Sequence, residues 1–182
     1  MNRETIRSLL LWLLVASAVS LVVLYTAFVY SSMRAGPAHL ISCMEVNVRM
    51  SAWTCEQVLR HATFSKEHLA ELNRSAGARF PISMGDTRKA EEILALFLDK
   101  GVDINAPDER LNGWTALHGA AISREPKEVA LLLKYGAKVD VRDTHGRTPL
   151  ELARLVQTKR QDDSQLAETI RLLETAQNKP RS

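Results

Sequence analysis

From Ser8 to Met33 the chain carries no charged residue, and Leu9 to Tyr30 is almost wholly apolar. No polar face interrupts the run, so it does not have the pattern of an amphipathic helix on a soluble core. It is longer than the roughly 20 helical residues that a bilayer core requires, and it predicts a transmembrane anchor over residues 8–33. Trp12, Tyr25 and Tyr30 stand where interface-seeking aromatics lie. A cleaved signal peptide is the rival reading, because Ala16-Ser17-Ala18 resembles a cleavage site. Cutting there would leave Val19 to Leu24 as a free apolar end. Both readings stay open.

After the apolar run the pattern breaks into short segments with helical spacing. Ala35-Gly36-Pro37 marks a linker, assigned to residues 34–50. Residues 51–76 are expected to form capping helices, one starting at Ser51 or Thr54 and running through Val58 and Leu59. A second is announced by Ser65 with His68, Leu69 and Leu72. Residues 77–177 hold the repeating part, and 178–182 are a tail.

The repeat appears on aligning the chain with itself. Gly113-Trp114-Thr115-Ala116-Leu117-His118 lies over Gly146-Arg147-Thr148-Pro149-Leu150-Glu151 at an offset of 33. Leu96 to Ala106 lies over Leu131 to Val141 at an offset of 35, and the two extra residues fall within Glu109-Arg110-Leu111-Asn112. Thr115 and Thr148 suit helix N-caps, and Pro149 the first helical position. Gly101 and Gly136 suit the left-handed residue after a helix. Asp108 and Asp143, ahead of Gly113 and Gly146, suit tight turns. Leu117, Ala120 and Ala121 make a narrow apolar stripe that lets neighbouring helices approach closely.

These residues resemble the ankyrin repeat. The match is most specific from Gly113 to Asp140 and continues through Gly146 to Ala153. Glu151 departs from it, standing where the family has histidine, and Thr158–Ser164 is an insertion before a helix from Gln165 to Ala176. The stretch Ser83 to Asp86 is a poor first helix. The resemblance implies an all-α helix-turn-helix solenoid of about three repeats with N-terminal capping helices, preceded by one transmembrane helix. It implies that Gly101, Gly113, Thr115, His118, Gly136, Gly146 and Thr148 are structural, with His118 bonding near the capping threonine. It also implies a module that binds another protein through projecting hairpins. The partner-facing candidates are Asp108, Glu109, Arg110, Leu111, Asn112 and Trp114 in one hairpin, and Arg142, His145 and Arg147 in the next. Trp114 with Arg110 is the best local anchor, since interface hot spots are rich in Trp and Arg. Packing of Trp114 against the next hairpin is the competing expectation.

Composition narrows the partners. Of 182 residues, 46% are hydrophobic and only 5% aromatic, which suits packed helices. The net charge of +3 is concentrated near the anchor. Three of the 24 basic and one of the 21 acidic residues lie within 1–34, so 21 basic and 20 acidic remain. With no basic stripe interleaved with aromatics, nucleic acid is not an expected partner. Arg3 and Arg7 lie before the span and only Arg34 lies close after it. The positive-inside rule then keeps residues 1–7 in the cytoplasm and places the following domain outside, in a periplasm if the source is bacterial. Small periplasmic ankyrin proteins look like immunity proteins against a secreted toxin, or protective partners of periplasmic enzymes. A scaffold subunit of an envelope complex is the alternative.

Cys43 and Cys55 are the only cysteines. Outside the cytosol they suit a disulfide closing a short loop, with an entropic gain on the order of 3 kcal/mol. Two buried thiols are the alternative if the domain faces the cytosol. No catalytic group, metal site or cofactor is expected. His61 and His68, seven apart, make a weak metal pair, and Asp162-Asp163 sits in a charged insertion. Phosphate-loop, Gly-x-Ser-x-Gly and zinc-protease motifs are lacking.

Overall fold

The computed structural model describes residues 3–34, 36–45, 49–159 and 163–179. Among the described residues ten helices succeed one another: α1 (Arg3–Arg34), α2 (Pro37–Glu45), α3 (Arg49–His61), α4 (Lys66–Arg74), α5 (Arg79–Ile82), α6 (Thr87–Asp99), α7 (Ala116–Ile122), α8 (Pro126–Lys134), α9 (Pro149–Gln157) and α10 (Ser164–Gln177). Extended pairing among the described residues is limited to isolated bridges at Ser75–Asp108 and Asp108–Trp114. The chain divides into two units, residues 1–62 and 63–182.

In the first unit α1 holds the apolar run. Ile6–Ser32 has a mean hydropathy of 2.4 and is long and apolar enough to cross a membrane. Where a linker was expected at residues 34–50, Pro37–Glu45 is helical and packs on α3. Proline at a first helical position costs no hydrogen bond, so Pro37 starts this helix instead of ending one. A disulfide joins Cys43 to Cys55, with Cα atoms 6.1 Å apart. Cys55 is fully buried, and Leu40 and Ile41 on α2 and Leu59 on α3 are buried as well. Helix α3 starts ahead of both expected caps. Thr54 lies inside it and donates its hydroxyl proton to the Met50 carbonyl at 2.8 Å.

The second unit is a two-layer stack. Helices α5, α7 and α9 pack in one row and α6, α8 and α10 in the other, each pair forming one repeat. Between the rows lie Ile82, Leu94, Leu117, Ala120, Ala121, Val129, Leu132, Ala153, Leu166 and Leu173, all buried. Alanines on α7 keep the layers close, as the narrow apolar stripe implied. Helix α5 is a single turn, because Gly85 and Asp86 hand the chain to α6, whose N-cap is Asp86.

The ends of the outer helices repeat one device. After α6, Val102 N–H donates to Phe97 O and Gly101 N–H to Leu98 O; after α8, Ala137 donates to Leu132 O and Gly136 to Leu133 O. This is the Schellman arrangement, and it requires the left-handed φ of +98° at Gly101 and +85° at Gly136. Helix α4 ends in the same way, with Gly77 N–H on Leu72 O and Ala76 at φ +47°. Asn73 Oδ1 accepts Asp103 N–H at 2.9 Å, and Asn105 Oδ1 accepts Lys138 N–H at 2.7 Å. The capping helix α4 is thus built as the outer helix of a further, incomplete repeat. Ser65 caps it by accepting His68 N–H.

Candidate interaction surface at the hairpin tips

Two hairpins leave the stack, one between α6 and α7 and one between α8 and α9. In the first, Asp108 Oδ1 accepts the N–H groups of Arg110 and Leu111 at 2.8 and 3.1 Å. Asn112 and Gly113, both left-handed at φ +56° and +67°, absorb the two-residue insertion. In the second, Asp143 Oδ1 accepts the N–H groups of His145 and Arg147 at 2.8 and 2.9 Å. One turn design therefore serves both, with an aspartate substituting for the backbone partners that a tight turn lacks.

The hairpins are bound to each other and to the cap. Thr144 N–H donates to Asn112 O at 2.9 Å, and Trp114 Nε1–H to Asp143 Oδ2 at 3.2 Å. Glu109 N–H donates to Arg74 O at 2.9 Å. Arg147 closes on Asp143 Oδ2 through Nε at 2.9 Å and a terminal nitrogen at 2.7 Å, with the aspartate side chain fully buried. Burial alone would raise the Asp143 pKa. The Arg147 guanidinium, the Arg147 and His145 N–H groups and the Arg147 charge outweigh it, and the carboxyl sits well below the usual carboxylate range.

Below the tips, each inner helix starts at a threonine. Thr115 Oγ1 accepts His118 N–H while His118 Nδ1 accepts Thr115 N–H at 3.1 Å. That fixes the neutral tautomer with the proton on Nε2, which donates to Arg147 O at 3.0 Å in the next hairpin. Burial lowers the His118 pKa, against the raising effect of the Arg147 carbonyl and the Asp143 charge. In the third repeat Glu151 does the local part of this job. Its carboxylate accepts Thr148 N–H at 2.8 Å and Thr148 Oγ1 accepts Glu151 N–H. Glutamate completes a capping box, which is why the departure from histidine leaves α9 intact.

The nine candidate partner residues fall into two groups. Asp108, Trp114 and Arg147 face inward on the hairpins' own bonds. Trp114 is half-buried and tied to Asp143, so packing against the next hairpin is where the structure places it, and it does not project as an anchor. Glu109, Arg110, Leu111, Asn112, Arg142 and His145 are exposed. Leu111 is 43% exposed, an apolar side chain at the tip of a polar turn. Arg110 reaches Glu71 on α4 at 3.1 Å, and Arg142 reaches Glu151 at 3.2 Å, both as open surface pairs. Such pairs are worth little and yield easily to a partner. Two residues that sequence reasoning left out belong to this surface: Glu71, which meets Arg110, and Thr144, whose N–H joins the tips. The spacing Asp143–Arg147 was the available sign of a local ion pair.

The remaining chemical candidates separate. His61 ends α3 and His68 lies on α4, so they share no helix face. Asp162 lies outside the described residues, as do Arg160 and Gln161 of the charged insertion. Asp163 is the N-cap of α10, accepting Leu166 N–H at 3.1 Å, and pairs with Arg124 at 2.6 Å. Among the described residues no cluster of three His, Cys, Asp or Glu could hold a metal.

Residues 85–161 match the family model for ankyrin repeats (3 copies). The chain is similar to human ankyrin repeat domain-containing protein 40, 36% identical over 70 residues, covering 38% of this chain and 18% of that protein. It is also similar to protein fem-1 homolog C of Xenopus laevis, 34% identical over 90 residues and covering 49% and 14%. Inversin of Danio rerio is 34% identical over 90 residues, covering 48% and 9%. The chain spans less than a fifth of the length of each of these relatives.

Proposed function

We propose that this chain, which belongs to the ankyrin-repeat family through residues 85–161, is a non-catalytic protein-binding module carried on a membrane anchor. Ankyrin repeats generally mediate protein–protein interaction, and that much holds for the domain as a class. One observation carries the finer placement of the surface. The two tips are held rigid by bonds that point inward, so the outward groups Arg110, Leu111, Arg142 and His145 are presented at little ordering cost. Preorganised surfaces lose less entropy on binding, and the two arginines are of the residue type enriched among interface hot spots.

Helix α1 would hold this surface at a membrane, with residues 1–7 in the cytoplasm and the repeats outside. The Cys43–Cys55 disulfide supports that side, since disulfides persist in oxidising compartments. A partner of that compartment, either a secreted toxin to be neutralised or an envelope enzyme to be protected, is the finer reading. It joins that topology to the resemblance of small periplasmic ankyrin proteins to immunity and protective partner proteins. Site-specific photocrosslinking in the intact cell tests the surface. A crosslinker replacing Leu111 is expected to trap a discrete protein, while one replacing Arg171 on α10 traps none. Equal trapping at both positions would remove the hairpin surface from consideration.

A further inference from the structure

We propose that the Met50–Trp53 face of α3 sits in the bilayer interface and sets the depth of the anchor. This rests on reading α1 as a membrane span. Twenty helical residues cover the hydrocarbon core, at about 1.5 Å each. Counted from Ile6, where the apolar segment starts, they end at Tyr25. The segment nevertheless runs on to Ser32. Past Tyr25 the helix is covered by protein in places: Val29 is half-buried and Ser32 is only 2% exposed. The length of the helix and the start of its protein cover thus point to one level.

At that level α1 meets α3. Thr54 spends its only hydroxyl proton on the Met50 carbonyl, so the Tyr25 hydroxyl is the donor in its 3.3 Å contact with Thr54 Oγ1. This satisfies the polar end of a tyrosine whose ring is exposed beside Leu24 and Phe28. On either side of the contact, α3 presents Met50 at 70% exposure and Trp53 at 59%. Met50 flanks an apolar groove with Leu21, Leu24 and Phe28, and Trp53 flanks another with Val29. Two large apolar side chains left open, continuous with the surface of a spanning helix and next to its tyrosine, match the aromatic belt at a membrane boundary. Amphipathic helices bury such faces by roughly 5–10 Å. The disulfide to Cys43 ties this helix to α2 and makes α2–α3 a clamped collar. The occupant is lipid at the headgroup–acyl boundary. A second protein copy on this face is the outcome that would displace it.

The test uses the full chain in phosphatidylcholine vesicles containing lipids brominated at shallow or deep acyl positions. Tryptophan quenching is read as differences between chains, so that Trp114 stays in place. Wild type minus Trp12→Phe reports Trp12; Trp12→Phe minus Trp12→Phe/Trp53→Phe reports Trp53. Counted from Ile6, Trp12 lies about 9 Å inside the span and not at the interface where its sequence position suggested it. It is therefore expected to be quenched most by deep bromines, and Trp53 by shallow ones, at least twofold over unbrominated lipid. Deep quenching of Trp12 with none of Trp53 would overturn the collar and leave the anchor standing. No quenching of either would remove the anchor as well. Met50→Asp/Trp53→Asp gives a second readout. Crosslinking between copies in dilute vesicles that disappears in this variant, with Trp53 unquenched in the parent chain, assigns the face to a second copy.

Discussion

The indole N–H of Trp114 points at the buried carboxylate of Asp143, 3.2 Å away in the neighbouring hairpin. The same oxygen takes both Arg147 bonds, so one side chain joins a turn, an arginine and the previous hairpin. Replacing Asp143 with Asn turns that oxygen into an N–H donor facing three N–H donors, or sacrifices the turn. Asp143→Asn is expected to cost roughly 3 kcal/mol and Trp114→Phe about 1 kcal/mol. Because they share a bond, urea unfolding of both singles and the double should give a coupling of roughly 1 kcal/mol. Additive losses would show that the contact contributes nothing.

Two linked protons predict weakness in acid. Asp143 has a depressed folded pKa, so its stabilisation is present above the unfolded value, about 3.9, and is lost as pH falls below it. His118 is also depressed, being buried as the neutral form. The unfolded chain therefore binds more protons below about pH 6.5, and stability falls as pH drops through that point. The urea midpoint of the detergent-solubilised chain is expected to fall between pH 7.5 and 5.5, with a smaller fall in His118→Gln. A wild-type midpoint independent of pH over this range would contradict the histidine assignment.

The helix ends offer a matched pair. A Cβ on Gly136 meets nothing within 4 Å, and one on Gly101 meets only ordinary contacts with Leu69. The cost of alanine at both is therefore conformational. Gly101→Ala and Gly136→Ala should each lose about 1 kcal/mol, and the Asn variants less. A loss well above this at either site would mean packing had been misjudged.

Thr169 in α10 has a buried hydroxyl without a hydrogen-bond partner. Valine has the same shape and no polar atom, so Thr169→Val is expected to stabilise the domain by about 1 kcal/mol. A lower melting temperature in the variant would reveal a partner for the hydroxyl.

Much of this was legible in the sequence. The offset of repeated motifs located both hairpins, the threonine caps and the glycine helix ends, because each depends on a few local residues. The apolar run gave α1 directly. The features that escaped are non-local. Pro37 looks like a helix breaker until it is seen starting α2, whose packing on α3 no local pattern announces. Trp114 stays open in sequence between an interface anchor and packing against the next hairpin, because the acceptor that decides it lies 29 residues away. Asn73 and Asn105 are ordinary polar residues in sequence, and only the stack shows each receiving the next repeat's N–H.

The central claim is that the exposed tip groups, and not the outer helices, bind a protein. Affinity capture with the full chain from solubilised membranes, comparing wild type, Arg110→Glu/Leu111→Asp and the outer-helix variant Arg171→Glu, tests it most directly. The expected result is a protein retained by wild type and Arg171→Glu and reduced at least tenfold by the tip variant, with all three chains equally folded. Retention that is unchanged in the tip variant, or lost only with Arg171→Glu, would contradict the claim.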